Sequence, residues 1–241
     1  MKDTPRLVAA LIEGGADIVE LGIPFSDPIA DGPTIQAAVK RSLANGAKPL
    51  NALEVARVVR RKYDTPIVLM TYYNPIFRVG LRRFLTSARE SGISGIIVPD
   101  LPVEESAEYK KECVAASLDT IFLASPSTEP QRLKEIMFQT SGYLYLISLY
   151  GVTGVRVTLP DSALTLVRKY RAELHGTLPL AVGFGISQPE HVRDLVRAGT
   201  DGVIVGSAFV KIVGENSRNV ARASTKLTRL ARSLKRATMK A

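Results

Sequence analysis

Glu13-Gly14-Gly15-Ala16-Asp17-Ile18-Val19 returns in altered form at Glu90-Ser91-Gly92-Ile93-Ser94-Gly95-Ile96 and at Arg197-Ala198-Gly199-Thr200-Asp201-Gly202-Val203. Each stretch reads as a helix that ends on glycine and turns straight into a strand. Glycine suits such a junction because it tolerates the left-handed backbone of a helix C-cap. Outward from these junctions, short apolar runs rich in β-branched residues at 16–21, 66–72, 93–98, 120–123, 143–148, 178–182 and 202–205 predict seven strands. Helix-period segments at 81–91, 103–117, 130–140, 162–174 and 189–198 separate them. Strict alternation of this kind demands parallel strands joined by crossover helices. A Rossmann sheet would show an early Gly-rich turn after its first strand, so the repeated junction favours a TIM (β/α)8-type barrel. No low-complexity linker interrupts the pattern, and a single domain over 1–241 is expected.

The strand count falls short of closure. A barrel of this type needs eight strands, yet a helical segment at 3–13 leads directly into the strand that carries Glu20. The expectation is a barrel with seven recognisable strands whose first strand is missing. Either Met1 is not the natural start, or the barrel is open along one seam with part of its core exposed.

Composition narrows the function classes. The chain has 241 residues, 46% of them hydrophobic, enough to bury a substantial core. It holds no uninterrupted apolar run of about 18 residues and no signal-peptide pattern at Met1-Lys2-Asp3-Thr4-Pro5, so a cytoplasmic protein without membrane partners is expected. The single cysteine, Cys113, reads as a packing residue. A net charge of +9 is concentrated towards the end, where Arg218, Arg222, Lys226, Arg229, Arg232 and Arg236 recur opposite Val220, Leu227, Leu230 and Leu234. That pattern is an amphipathic helix with a solvated basic face. No aromatic residues interleave with the basic ones, which argues against a nucleic-acid partner.

Glu20 is the most informative single residue, a carboxylate near the C-terminal end of an otherwise apolar strand, where barrel enzymes place their catalytic groups. Ionisation tuned for proton transfer would justify its burial; a structural ion pair is the alternative. Eleven residues on, Asp31 lies in a loop shaped by Pro28, Gly32 and Pro33. Spacing alone leaves it divided between function and helix capping. Near the other end, Gly183-Phe184-Gly185-Ile186-Ser187 and Gly206-Ser207-Ala208 follow consecutive strands, the position at which backbone amides of these barrels bind phosphate. Gly151-Val152-Thr153-Gly154 follows the strand at 143–148, where a segment could close over a ligand. Tyr145 shares a strand face with Tyr143 and Ile147 and is a candidate for the same site, or a plain core tyrosine. His175 and His191 lie outside every motif, and with no cluster at metal-ligand spacing no metal is expected.

Glu20-Leu21-Gly22-Ile23-Pro24-Phe25-Ser26-Asp27-Pro28-Ile29-Ala30-Asp31-Gly32-Pro33-Thr34-Ile35-Gln36 resembles the motif of the tryptophan synthase α subunit almost residue for residue. The likeness continues in order through Pro99-Asp100-Leu101-Pro102-Val103-Glu104-Glu105 and the later glycine turns. It implies retro-aldol cleavage of indole-3-glycerol phosphate to indole and glyceraldehyde 3-phosphate, with no cofactor in this subunit. It implies further that Glu20 is the principal acid/base, delivering a proton to indole C3, and that Asp31 accepts a hydrogen bond from the indole N–H. Glu20 could serve twice, with Tyr145 as an aid, since the group that deprotonates the glycerol hydroxyl is left open. Met70, Phe184 and Ile204 would wall the indole. Gly154, Gly183, Gly185, Gly206 and Ser207 would bind phosphate, with Thr153 in the closing loop. A β subunit in an α2β2 complex would dock over loops containing Asp27, Pro28, Asn74 and Pro75. Leu149-Tyr150 replaces an arginine common in bacterial relatives, the mark of an archaeal-type variant. Two other readings stay open: a weakly active regulatory partner of a β subunit, and another phosphate-binding barrel of aromatic amino-acid biosynthesis, such as a sugar-phosphate isomerase.

Overall fold

The computed structural model describes residues 2–147, 159–183 and 185–239. Among them, eight short parallel strands occupy seven barrel positions: β1 (Val19–Gly22), β2 (Ile67–Met70), β3 (Ile93–Ile97), β4 (Asp119–Ile121), β5 (Leu123–Ala124), β6 (Leu144–Ile147), β7 (Leu180–Gly183) and β8 (Gly202–Val203). They form two ladders, β1 to β4 and β5 to β8. The predicted strand at 120–123 is thus one strand interrupted at Phe122, whose carbonyl still accepts from the Tyr145 amide at 3.1 Å and carries the wall across the break.

Helices enclose the strands: α1 (Thr4–Glu13), α2 (Pro33–Ala44), α3 (Asn51–Arg60), α4 (Tyr73–Val79), α5 (Leu81–Glu90), α6 (Ala107–Ala115), α7 (Pro130–Gln139), α8 (Asp161–Leu174), α9 (Pro189–Ala198), α10 (Ser207–Glu215) and α11 (Val220–Thr238). The predicted helix at 103–117 is divided. A 3-10 turn at Val103–Glu105 precedes α6, and the Ser106 hydroxyl donates to the Val103 carbonyl at 2.7 Å, holding the turn apart from the helix.

The repeated junction is one structural device used three times. Its left-handed glycines are Gly15, Gly92 and Gly199, with φ of 100°, 82° and 104°. Each is covered by the aliphatic stem of a basic residue from a neighbouring helix: Lys235, Arg60 and Arg171 respectively. A side chain would be strained there by φ and crowded by that stem. Two residues on, Asp17 and Asp201 pair with the heads of Lys235 and Arg171, both at 2.7 Å, so the stem that seals the turn is also oriented by it.

Two apolar cores result. The larger lies between the strands and the helices and includes Leu69, Phe84, Ile96, Cys113, Leu146 and Leu195. Burial pushes the Cys113 thiol up to about 12, as befits the packing residue expected from the sequence. The smaller fills the barrel interior with Val68, Ile97, Ile121, Tyr143 and Ala181, joined by Met70, Leu123, Tyr145 and Ile204. Alternation along each strand separates the two sets.

β1 and β8 end the ladders, and no backbone hydrogen bond joins them among the described residues. The outer layer does close there, since α1 packs along α11 and Thr228 donates to the Ala10 carbonyl at 2.8 Å. Ile18 is 45% exposed beside the open edge, and Val203, Ile204 and Val205 are only partly covered. Above the gap α2 rests on α10, and neither helix buries a residue.

Candidate active site

Glu20 enters the lumen by register. Val19 is buried outward among the helices, so Glu20 takes the inner face beside its β2 partner Val68. From the opposite wall the Tyr143 hydroxyl donates to Glu20 Oε1 at 2.7 Å. Burial raises the Glu20 carboxyl above its ordinary 4.5, and the Tyr143 hydrogen bond, which favours the ionised form, offsets part of that rise. Tyr143 is itself pushed far up, first by burial and then by the neighbouring carboxylate, so it stays a hydrogen-bond donor.

Asp31 lies in the loop between β1 and α2. Its backbone is fixed locally, with its amide donating to the Pro28 carbonyl at 3.1 Å and its carbonyl accepting from Gln36 Nε2 at 2.9 Å. Its side chain accepts from the Tyr72 hydroxyl at 3.0 Å. Burial raises this carboxyl too, and the Tyr72 hydrogen bond again works the other way. It caps no helix: the N-cap of α2 is Gly32, so the capping reading of Asp31 falls away.

Tyr145 connects the two carboxylates. Its hydroxyl is raised by burial and then by the charges of both Glu20 and Asp31, which places it within electrostatic reach of each. Its ring lies against Gly183, where an added Cβ would sit 2.9 Å from the hydroxyl; a side chain at that position would displace the tyrosine. Met70 and Ile204 line the same interior cluster. Gly206 is the N-cap of α10, Ser207 opens that helix, and both are exposed. Gly185 is exposed with φ 67°, and a Cβ on either Gly185 or Gly206 would meet no atom within 4 Å. The C-terminal mouth therefore combines two tyrosine-bonded carboxylates, an apolar wall and a helix N-terminus with open space above its glycine. Thr153, Gly154 and Phe184 lie outside the described residues, as do Leu149 and Tyr150.

Of the four residues expected at a partner interface, Asp27 and Asn74 are exposed and Pro28 partly so, whereas Pro75 is buried within the chain. Phe77, one helical turn beyond Tyr73, presents the exposed apolar surface of α4 instead, at 69% exposure. Asp100 accepts from the Tyr73 amide at 2.9 Å and holds the start of this helix. Among the described residues no group of three or more His, Cys, Asp or Glu could hold a metal ion.

The sequence reading did not single out Tyr143 or Tyr72. A faint signal existed for each. Tyr143 shares a face with Tyr145, and Tyr72 lies two residues beyond Met70 at the end of the same strand.

Comparison with known proteins gives the family. The family model described as tryptophan synthase alpha chain matches residues 1–239. The tryptophan synthase alpha chain of Methanosarcina mazei is 48% identical over 230 residues, covering 95% of this chain and 81% of that protein. That of Pyrococcus furiosus is 51% identical over 203 residues, covering 84% and 81%. A solved structure describing mutual activation of the tryptophan synthase α2β2 complex from Pyrococcus furiosus superposes with a TM-score of 0.90 at 46% identity, covering 97% of this chain and 92% of that one. This chain belongs to the tryptophan synthase alpha chain family.

Proposed function

We propose that Glu20 and Asp31 carry out the family's reaction on this chain, the retro-aldol cleavage of indole-3-glycerol phosphate to indole and glyceraldehyde 3-phosphate, and that the chain needs no cofactor of its own. The chain is a carbon–carbon lyase of tryptophan biosynthesis and assembles with a β subunit in an α2β2 complex. No helix among the described residues is long and apolar enough to cross a membrane. Cytoplasmic residence is part of the proposal.

The carrying observation is the pair of carboxyls with raised pKa at one barrel mouth, each bonded to a tyrosine hydroxyl and both felt by Tyr145. A raised carboxyl holds a proton at a pH where an ordinary glutamate has lost it, so Glu20 can donate to indole C3. The ring nitrogen then carries positive charge, which ionised Asp31 stabilises through the N–H. Glu20, now a carboxylate, accepts the proton of the glycerol hydroxyl. The oxygen lone pair forms the aldehyde C=O, the C–C bond breaks, and its electrons return to the ring as indole. Glu20 ends protonated, as it began, so one turnover takes no net proton from solvent. Met70 and Ile204 support the indole, and the amides at Gly206 and Ser207, with Gly183 and Gly185, meet the phosphate.

The test is stoichiometric. Purified chain with indole-3-glycerol phosphate should release indole and glyceraldehyde 3-phosphate in equal amounts without added metal or cofactor. A strict requirement for either additive would refute the cofactor-free mechanism.

A further inference from the structure

Among the described residues, the loop carrying Asp31 is hydrogen-bonded to the barrel at a single oxygen. Among the described residues, every hydrogen bond that residues 24–32 make beyond their own loop and the start of α2 ends on the hydroxyl of Tyr72. That oxygen accepts from the Ala30 amide at 3.0 Å and donates to Asp31 Oδ2 at 3.0 Å. The Tyr72 ring packs on Phe25, centroids 5.3 Å apart and planes tilted 34°, so the start of the loop rests on the same side chain. Tyr72 is rigid in its turn: it is 5% exposed, lies two residues beyond the end of β2 and is the N-cap of α4, whose first amide, that of Tyr73, is held by Asp100.

We infer that Tyr72 is the positioning residue of the reaction, a latch that fixes the Asp31 carboxylate by holding both its backbone neighbour and its side chain. A hydroxyl can accept one N–H and donate one O–H, and Tyr72 uses both on adjacent residues of one loop. With Ala30 and Oδ2 pinned, the other carboxylate oxygen is left to receive the indole N–H. Phenylalanine at this position would keep the ring packing on Phe25 and lose both hydrogen bonds.

This inference rests on the assignment of Asp31 to the indole N–H, and the experiment separates the two. Wild type, Tyr72→Phe, Asp31→Asn and the double variant are assayed for indole release across pH, with melting temperature and amide exchange followed in parallel. Tyr72→Phe should lower kcat/KM about ten- to a hundred-fold, the scale of a lost hydrogen bond to a charged group. Its acid limb should move to higher pH, because the bond to Tyr72 lowers the Asp31 pKa and nothing else resolved at that carboxyl does. Tyr145, which faces Asp31, and Asp100, which faces Tyr72, are unaltered in all three variants. Exchange should quicken at Ala30 with the rest of the barrel unchanged. The double variant should be no slower than Asp31→Asn, since the two residues act as one unit. Multiplying losses in the double variant, or an unmoved acid limb, would overturn the latch while leaving Asp31 in place. Wild-type turnover in Asp31→Asn would overturn both.

Discussion

The hydroxyl of Tyr143 reaches Glu20 Oε1 at 2.7 Å from the opposite wall of the barrel, so two residues 123 positions apart form one acid–donor pair. The bond favours the ionised carboxyl and opposes the rise caused by burial. Tyr143→Phe should therefore raise the Glu20 pKa further. The limb of the pH–rate profile assigned to Glu20 should move to higher pH, because a hydrogen bond that favours the ionised carboxyl is lost. An unmoved limb would mean that the bond does not persist during turnover.

The same shift predicts a stability effect with a defined sign. The folded-state pKa of Glu20 lies above the unfolded value, so its protonated form stabilises the fold below about pH 4.5, and that contribution is lost as pH rises through the folded pKa. Glu20→Gln stays neutral throughout. The variant should melt higher than wild type at neutral pH, by about 2–4 °C for each 1 kcal/mol relieved, with the difference closing towards pH 4. Thermal melts at several pH values check this, and a variant less stable at neutral pH would contradict it.

Gly206 offers a clean test of the phosphate cradle. Its φ of −111° lies outside the left-handed region, and an added Cβ would meet no atom within 4 Å, so the fold should accept Gly206→Val. The new side chain would occupy the space above the α10 N-terminus. Binding of indole-3-glycerol phosphate should weaken about tenfold or more, equivalent to some 1.4 kcal/mol, while phosphate-free indole analogues bind as before. Equal weakening of both ligands in calorimetry would assign the phosphate elsewhere.

Legibility from sequence followed the range of the interactions. The strands were readable because β-branched runs are local, and Glu20 because a carboxylate within such a run is conspicuous. The break at Phe122 was not, since 121–124 is one apolar run. Helix α4 left little trace, as seven residues with Pro75 among them give less than two turns of periodicity. The helix predicted over 103–117 failed at Ser106, whose side chain competes for the backbone. Tyr143 and Tyr72 act through partners set by barrel closure and loop path. Alternation can assign a face but cannot say what stands across the lumen. The residues of the repeated junction, by contrast, carried more than was read from them: the left-handed glycine was expected, whereas its cover by Lys235, Arg60 and Arg171 depends on helices distant in the chain.

The central claim is that Glu20 moves the proton, and steady-state indole release by Glu20→Gln tests it most directly. Glutamine keeps the shape and can still accept from Tyr143, so binding of indole-3-glycerol phosphate should remain near wild type. Turnover should fall by about two to four orders of magnitude, the usual cost of losing a positioned acid/base. Near wild-type turnover in a folded Glu20→Gln protein would contradict the account.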